Sequence, residues 1–162
     1  MATLQIHNGV ALPAPMLRRA ILAAVIGNGL EFYDFLVYAY FAIQIGQAFF
    51  PSDNAYLSLI ASLATFGAGF VSRPLGAWLI GSYADRQGRR PALLLTLGCM
   101  GAGIAGLALT PSYAQIGIAA PIIAVTARLL QGFALGGEVG PSTAFLIEAS
   151  AHAHRGLIGS LQ

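Results

Sequence analysis

No lysine occurs among the 162 residues, cysteine occurs once, and charged side chains make up only 9% of the chain. An ordinary soluble domain carries about 25% charged residues, so that class is excluded. The lone Cys99 closes no internal disulfide and, inside an apolar run, reads as a small packing residue. The eight arginines are spread over turns and helix interiors without forming a patch, which leaves a nucleic-acid surface unsupported. What is there instead is apolar: 57% hydrophobic residues and a mean hydropathy of +0.73. That composition belongs to an all-α membrane protein, a multispanning helical bundle.

The arginines divide the apolar runs. Gly81-Ser82-Tyr83-Ala84-Asp85-Arg86-Gln87-Gly88-Arg89-Arg90 holds three of them and reads as a turn between two membrane-length segments. The positive-inside rule keeps such a turn in the cytoplasm. Residues 1–19 read as a cytoplasmic tail ending in Arg18 and Arg19, followed by a partial transmembrane domain over 20–162. Spans are expected at about 20–43, 56–80, 91–109 and 119–147, with a fifth beginning at about 157. An arginine pair before an apolar stretch could also open a signal peptide, but Glu31 and Asp34 interrupt that stretch and no cleavage site follows. The turns at Gln44–Ala55 and Thr110-Pro111-Ser112 carry no basic residue and suit the outer face. Arg18, Arg19, Arg86, Arg89, Arg90 and Arg155 all fall on the other side, so the amino terminus is expected inside.

Five charges remain within the spans: Glu31, Asp34, Arg73, Arg128 and Glu138. A charge at that depth costs a few kcal/mol unless it faces a partner or a wet cavity. Glu31 and Asp34, three residues apart, share a helix face, and Arg128, Gln131 and Glu138 share another. At about 1.5 Å of rise per residue, Glu31 and Asp34 reach the depth of Arg128, and Arg73 reaches that of Glu138. Three acids against two arginines leave one acid without a fixed cation. Such a carboxyl is a natural proton carrier, because protonation removes the charge that a low dielectric penalises. The expected division makes Glu31 the partner of Arg128 and Asp34 the proton site, since the shorter aspartate reaches less far. A purely structural carboxylate pair that pins helices together is the competing reading, and for Arg73 snorkelling to the interface competes with pairing.

Other patterns have simpler explanations. Gly101-Ala102-Gly103-Ile104-Ala105-Gly106 matches a dinucleotide fingerprint by letter, but no strand precedes it and no acidic residue follows at ribose distance. Gly98, Ala102 and Gly106, and likewise Gly132, Gly136 and Gly140, read as small-residue ridges for helix packing. His152 and His154 have no further ligand nearby and read as solvated or headgroup-facing. No metal, no cofactor and no catalytic constellation is expected, so the chain does not read as an enzyme.

The pattern Gly-x-x-x-Asp-Arg-x-Gly-Arg-Arg resembles the signature between the second and third helices of the major facilitator superfamily. Arg-x-x-Gln-Gly at Arg128 is similar to that superfamily's fourth-helix signature. With Gly-Asn-x-x-Glu-x-x-Asp-Phe in the first span and Gly-Gly-Glu in the fourth, the chain resembles the metabolite–proton symporter branch. Glu148, Arg155 and Gly156 match that branch's continuation, where Ala151 stands in place of a proline. The resemblance runs from Arg18 to Gln162. It implies a partial amino-terminal portion of a plasma or bacterial inner membrane transporter, with two six-helix halves in the whole. It implies symport of a proton with a small organic acid or zwitterion. Glu31, Asp34, Arg128, Gln131 and Glu138 would line the substrate and proton cavity. Gly81, Asp85, Arg86, Gly88, Arg89 and Arg90 would form an inner gate, with Asp85 facing a helix of the missing carboxy-terminal half. Facilitated diffusion of a sugar is a weaker alternative. The alternative from another class is a truncated four-span module that packs in the lipid bilayer and transports nothing by itself.

Overall fold

The computed structural model describes residues 14–148 together with Gly156 and Ser160. The expected tail up to residue 13, His152, His154, Arg155 and the start of a fifth span at 157 lie outside the described residues. So do the side chains of Arg18, Arg19, Arg89, Arg90 and Glu148, although their backbones are helical.

Among the described residues six helices follow one another: α1 (Ala14–Tyr40), α2 (Ala42–Phe49), α3 (Ala55–Gln87), α4 (Arg89–Leu109), α5 (Tyr113–Ile116) and α6 (Ala119–Glu148). The stretches Ala55–Gln87, Pro91–Leu109 and Ala119–Gly140 are long and apolar enough to cross a membrane. At 27 residues, α1 also has the length of a crossing. The break between α1 and α2 is slight, because Phe41 still donates to the Val37 carbonyl and accepts from Ile45, both at 2.9 Å.

Two expected turns are mostly helix. Gln44 to Phe49 belongs to α2, where Gly46 lies so near α3 that a Cβ there would sit 2.5 Å from the Ser58 carbonyl oxygen. The turn expected on the outer face shrinks to the residues before Asn54, whose Oδ1 caps α3 by accepting from the Tyr56 N–H at 2.9 Å. On the opposite side, Gly81 to Gln87 continues α3 instead of forming a turn. The physical cause is an apolar stripe that runs past the charges: Ile80 and Ala84, four residues apart, pack with Ala92 of α4 and Phe133 of α6. The chain reverses at Gly88 alone, with φ +95°, a conformation that favours glycine. Pro91, in the first turn of α4, needs no intrahelical donor there.

α6 lies at the centre and packs most extensively on α3, then on α4. The glycines explain the closeness of the first contact. A Cβ at Gly132 would fall on the Gly69 carbonyl, one at Gly136 on the Arg73 carbonyl, and one at Gly76 on the Phe133 carbonyl. Ser72 locks the same seam, its one hydroxyl proton shared between the carbonyls of Gly69 and Leu129, each 2.8 Å from Oγ. The expected ridge on α4 is not used in this way. Around Gly98 there is open space and Ala102 is exposed, whereas Gly103, one position off the ridge, meets Ala127 and Gln131.

Candidate functional site

α1 approaches the bundle mainly through side chains. Phe35 meets Phe66 and Phe70 of α3, and Tyr38 stacks on Phe66 with ring centres 5.2 Å apart. Standing off in this way leaves a cavity of about 270 Å³ between α1, α3, α4 and α6. Glu31, Asp34, Arg128, Gln131 and Glu138 all line it, so the structure brings together the five residues picked out from helical spacing. Arg73 and the rings of Phe35, Phe66 and Phe70 line it as well.

Arg128 is buried at 5% exposure. Its Nη1 donates to Asp34 Oδ2 at 2.8 Å and to Gln131 Oε1 at 2.6 Å. Its guanidinium carbon also lies 4.0 Å from the centre of the Tyr38 ring. Tyr38, at 2% exposure, is held in turn by its hydroxyl, which donates to the Ser62 carbonyl at 3.1 Å and accepts from Ser62 Oγ at 3.4 Å.

This arrangement corrects the expected division of labour: Asp34, not Glu31, is the partner of Arg128. Asp34 and Tyr38 are four residues apart on one face of α1, so a guanidinium resting on the Tyr38 ring has its donors level with Asp34. Glu31 sits three residues lower, a rise of about 4.5 Å that depth counting alone did not resolve. Among the described residues no ion pair joins Arg73 to Glu138 or Glu31. Two of the three embedded acids therefore lack a fixed cation, where one was expected. Arg73 instead lies over Phe70 and Phe35.

The signature residues at the cytoplasm-assigned end form a separate group. Asp85 and Arg86 are exposed in the last turn of α3, Gly81 lies a turn earlier, and Gly88 makes the reversal. None of them reaches the cavity. Tyr38, Ser62, Ser72 and the pair Phe66 and Phe70 were not singled out from the sequence. Their signal was available only as i, i+4 spacing, Tyr38 after Asp34 and Phe70 after Phe66, which in an apolar helix marks packing as readily as a site. Among the described residues no cluster suited to a metal ion occurs.

Comparison with known proteins gives the family. The family described as sugar (and other) transporter matches residues 20–162. The citrate-proton symporter of Salmonella typhi is 43% identical over 143 residues, covering 88% of this chain and 33% of that protein. The proline/betaine transporter of Escherichia coli K12 is 40% identical over 144 residues, 89% of this chain and 29% of that protein. The alpha-ketoglutarate permease of the same strain is 38% identical over 143 residues, 88% and 33%. No solved structure gives a significant match. The chain thus spans about a third of the length of the curated relatives it matches, and these are transporters, not enzymes. With its helices, its embedded charges and these relatives taken together, the chain belongs to the sugar (and other) transporter family of the major facilitator superfamily.

Proposed function

We propose that this chain supplies the amino-terminal helices of a proton-coupled symporter for a small organic acid or zwitterion. It lies in the cell membrane, with its amino terminus in the cytoplasm and α1 as the first crossing. The observation that carries this reading is the unequal pairing in the cavity: Arg128 is engaged by Asp34 and Gln131, while Glu31 and Glu138 line the same space without an ion-pair partner. An acid in a low-dielectric cavity with no cation at ion-pair distance exchanges a proton in response to solute and gradient. Glu31, on the α1 wall beside Asp34, takes that role, and the Arg128–Asp34 pair holds α1 to α6. The exposed Asp85 at the end of α3 suits an inner latch toward helices of the other half.

The test is uptake by the complete protein in membrane vesicles, with labelled citrate, 2-oxoglutarate, shikimate and betaine and an imposed proton gradient. Glu31→Gln is expected to abolish uphill accumulation while leaving counterflow of preloaded solute, which needs no proton release. Asp34→Asn is expected to weaken both, since it leaves Arg128 buried with only Gln131 and the Tyr38 ring. Reversed phenotypes move the proton to Asp34. Gradient-driven accumulation surviving in both variants rules out proton carriage by this pair.

A further inference from the structure

Arg73 and Arg128 line one cavity but are held by different chemistry. The guanidinium carbon of Arg73 lies 4.1 Å from the centre of the Phe70 ring and 5.1 Å from that of Phe35. Those two rings are stacked 6.0 Å apart, and Phe66 braces both edge-on at 5.7 Å and 5.4 Å. Arg73 Nε is buried and bonded to no protein group, and no carboxylate lies within ion-pair distance of the side chain among the described residues. A guanidinium carries five donors and keeps its charge at any physiological pH. Ring faces attract that charge but accept no directed in-plane hydrogen bond. The platform therefore holds the cation at the cavity wall with its bidentate fork unspent.

Within the site just proposed, on whose transport reading this inference rests, we propose that Arg73 binds a carboxylate of the transported solute. The group fits a planar two-oxygen anion, which takes a pair of parallel N–H bonds. Arg128 does not suit the task, because it is 5% exposed and already bonded to Asp34 and Gln131. Charge balance points the same way. The Arg128–Asp34 pair is neutral, so Arg73 faces Glu31 and Glu138 as the remaining charges of the cavity. One carboxylate arriving on Arg73 together with one proton arriving on Glu31 leaves the sum of charges unchanged. Loading the carboxylate alone takes these charges from −1 to −2 in a low-dielectric space, which is unfavourable, whereas a proton on Glu31 first brings them to zero. Solute and proton are thereby coupled, because the carboxylate binds with least charge penalty once Glu31 holds its proton.

The experiment uses the complete protein in proteoliposomes. Whichever of labelled citrate, 2-oxoglutarate, shikimate and betaine is transported is competed with its unlabelled form and with the matching carboxamide, which keeps the shape and loses the charge. In the wild type the acid is expected to compete and the amide to compete poorly. Arg73→Gln is expected to raise KM about 10- to 100-fold, the loss of a charge-assisted pair of hydrogen bonds, and to erase the preference for acid over amide. Arg73→Lys, a point charge without the fork, is expected to keep the preference with a KM raised several-fold. That variant is decisive if Arg73→Gln does not insert: an unchanged KM in Arg73→Lys overturns the proposal. Retained acid-over-amide discrimination in a transporting Arg73→Gln overturns the proposal alone. Absence of uptake of all four solutes by the wild type overturns the transport reading and this proposal with it.

Discussion

Against α6, α3 lies so close that carbonyl oxygens of Gly69 and Arg73 occupy the space where side chains at Gly132 and Gly136 would begin, whereas α1 reaches the same helix across the length of an arginine. The first contact is backbone on backbone and holds no room for water or solute. The second is a bridge of Tyr38, Asp34 and Arg128 over a cavity. In a bilayer, lipid tails are as apolar as leucine, so helices associate through close packing and interhelical hydrogen bonds. α3 uses mainly packing, with Ser72 as its bond; α1 uses mainly polar and aromatic groups. A seam of the first kind has one geometry and serves as scaffold. A bridge of the second kind changes when a proton or an anion arrives, and so belongs at a site.

The contrast breaks most completely at the seam. Gly132→Val places branched carbons where the Gly69 carbonyl and Ser72 Oγ already stand, and the backbone of neither helix is able to yield by side-chain rotation. The expected loss is at or above the ~1–3 kcal/mol typical of overpacking. In detergent micelles this reads as loss of a cooperative thermal transition, with helical circular dichroism retained. A cooperative transition within a few degrees of the wild type would mean that α3 and α6 are not joined at these glycines.

How much of this was legible in the sequence depended on what kind of information each feature needs. Composition and the arginine-bounded runs were enough for a helical membrane fold, because span length and charge depletion are properties of a segment by itself. Helical periodicity put Glu31 and Asp34 on one face and Arg128, Gln131 and Glu138 on another for the same reason, and the family resemblance implied that both faces line one cavity. Which acid meets Arg128 was another matter, since it depends on the sideways placement of Tyr38 and the tilt of α1, neither of which is encoded in spacing. The turn at 81–90 misled because charged residues were read as loop, while Ala84 was already continuing the packed stripe of Ile80 alongside them. Likewise a glycine ridge shows which helix face is smooth, but not whether a neighbour uses it. Gly132 and Gly136 are used; Gly140 and Gly98 have no atom within 4 Å of an added Cβ.

A smaller effect is expected at the bridge. Tyr38→Phe keeps the ring under Arg128 and against Phe66, and removes the hydroxyl that anchors it to the Ser62 carbonyl. With it goes the longer bond that the hydroxyl accepts from Ser62 Oγ, and each neutral hydrogen bond lost is worth about 1 kcal/mol. The bundle is expected to remain folded, with a slightly lowered thermal midpoint. If α1 were instead held by close backbone packing, the same change would leave the midpoint where it is.

The smallest effect sharpens the comparison inside a single helix, because α4 carries glycines of both kinds. At Gly98 an added Cβ meets no atom within 4 Å, so Gly98→Ala adds a methyl group to open space. The folded state loses no contact, and the unfolded chain loses conformational freedom, which favours the variant by up to about 1 kcal/mol on the helix scale. At Gly103 the added Cβ would lie 2.6 Å from the Gln131 Cγ and 3.0 Å from the Ala127 carbonyl oxygen. Gln131 has then to move, and its Oε1 is the second acceptor of Arg128 Nη1. Gly103→Ala is therefore expected to lower the thermal midpoint, and Gly98→Ala to leave it unchanged or raise it slightly. The two substitutions are chemically identical and five residues apart on one helix, so propensity cancels and only the neighbour differs. Equal midpoints for the pair would show that α4 does not approach α6 at Gly103, and with that the support of Gln131 beneath Arg128 would be gone.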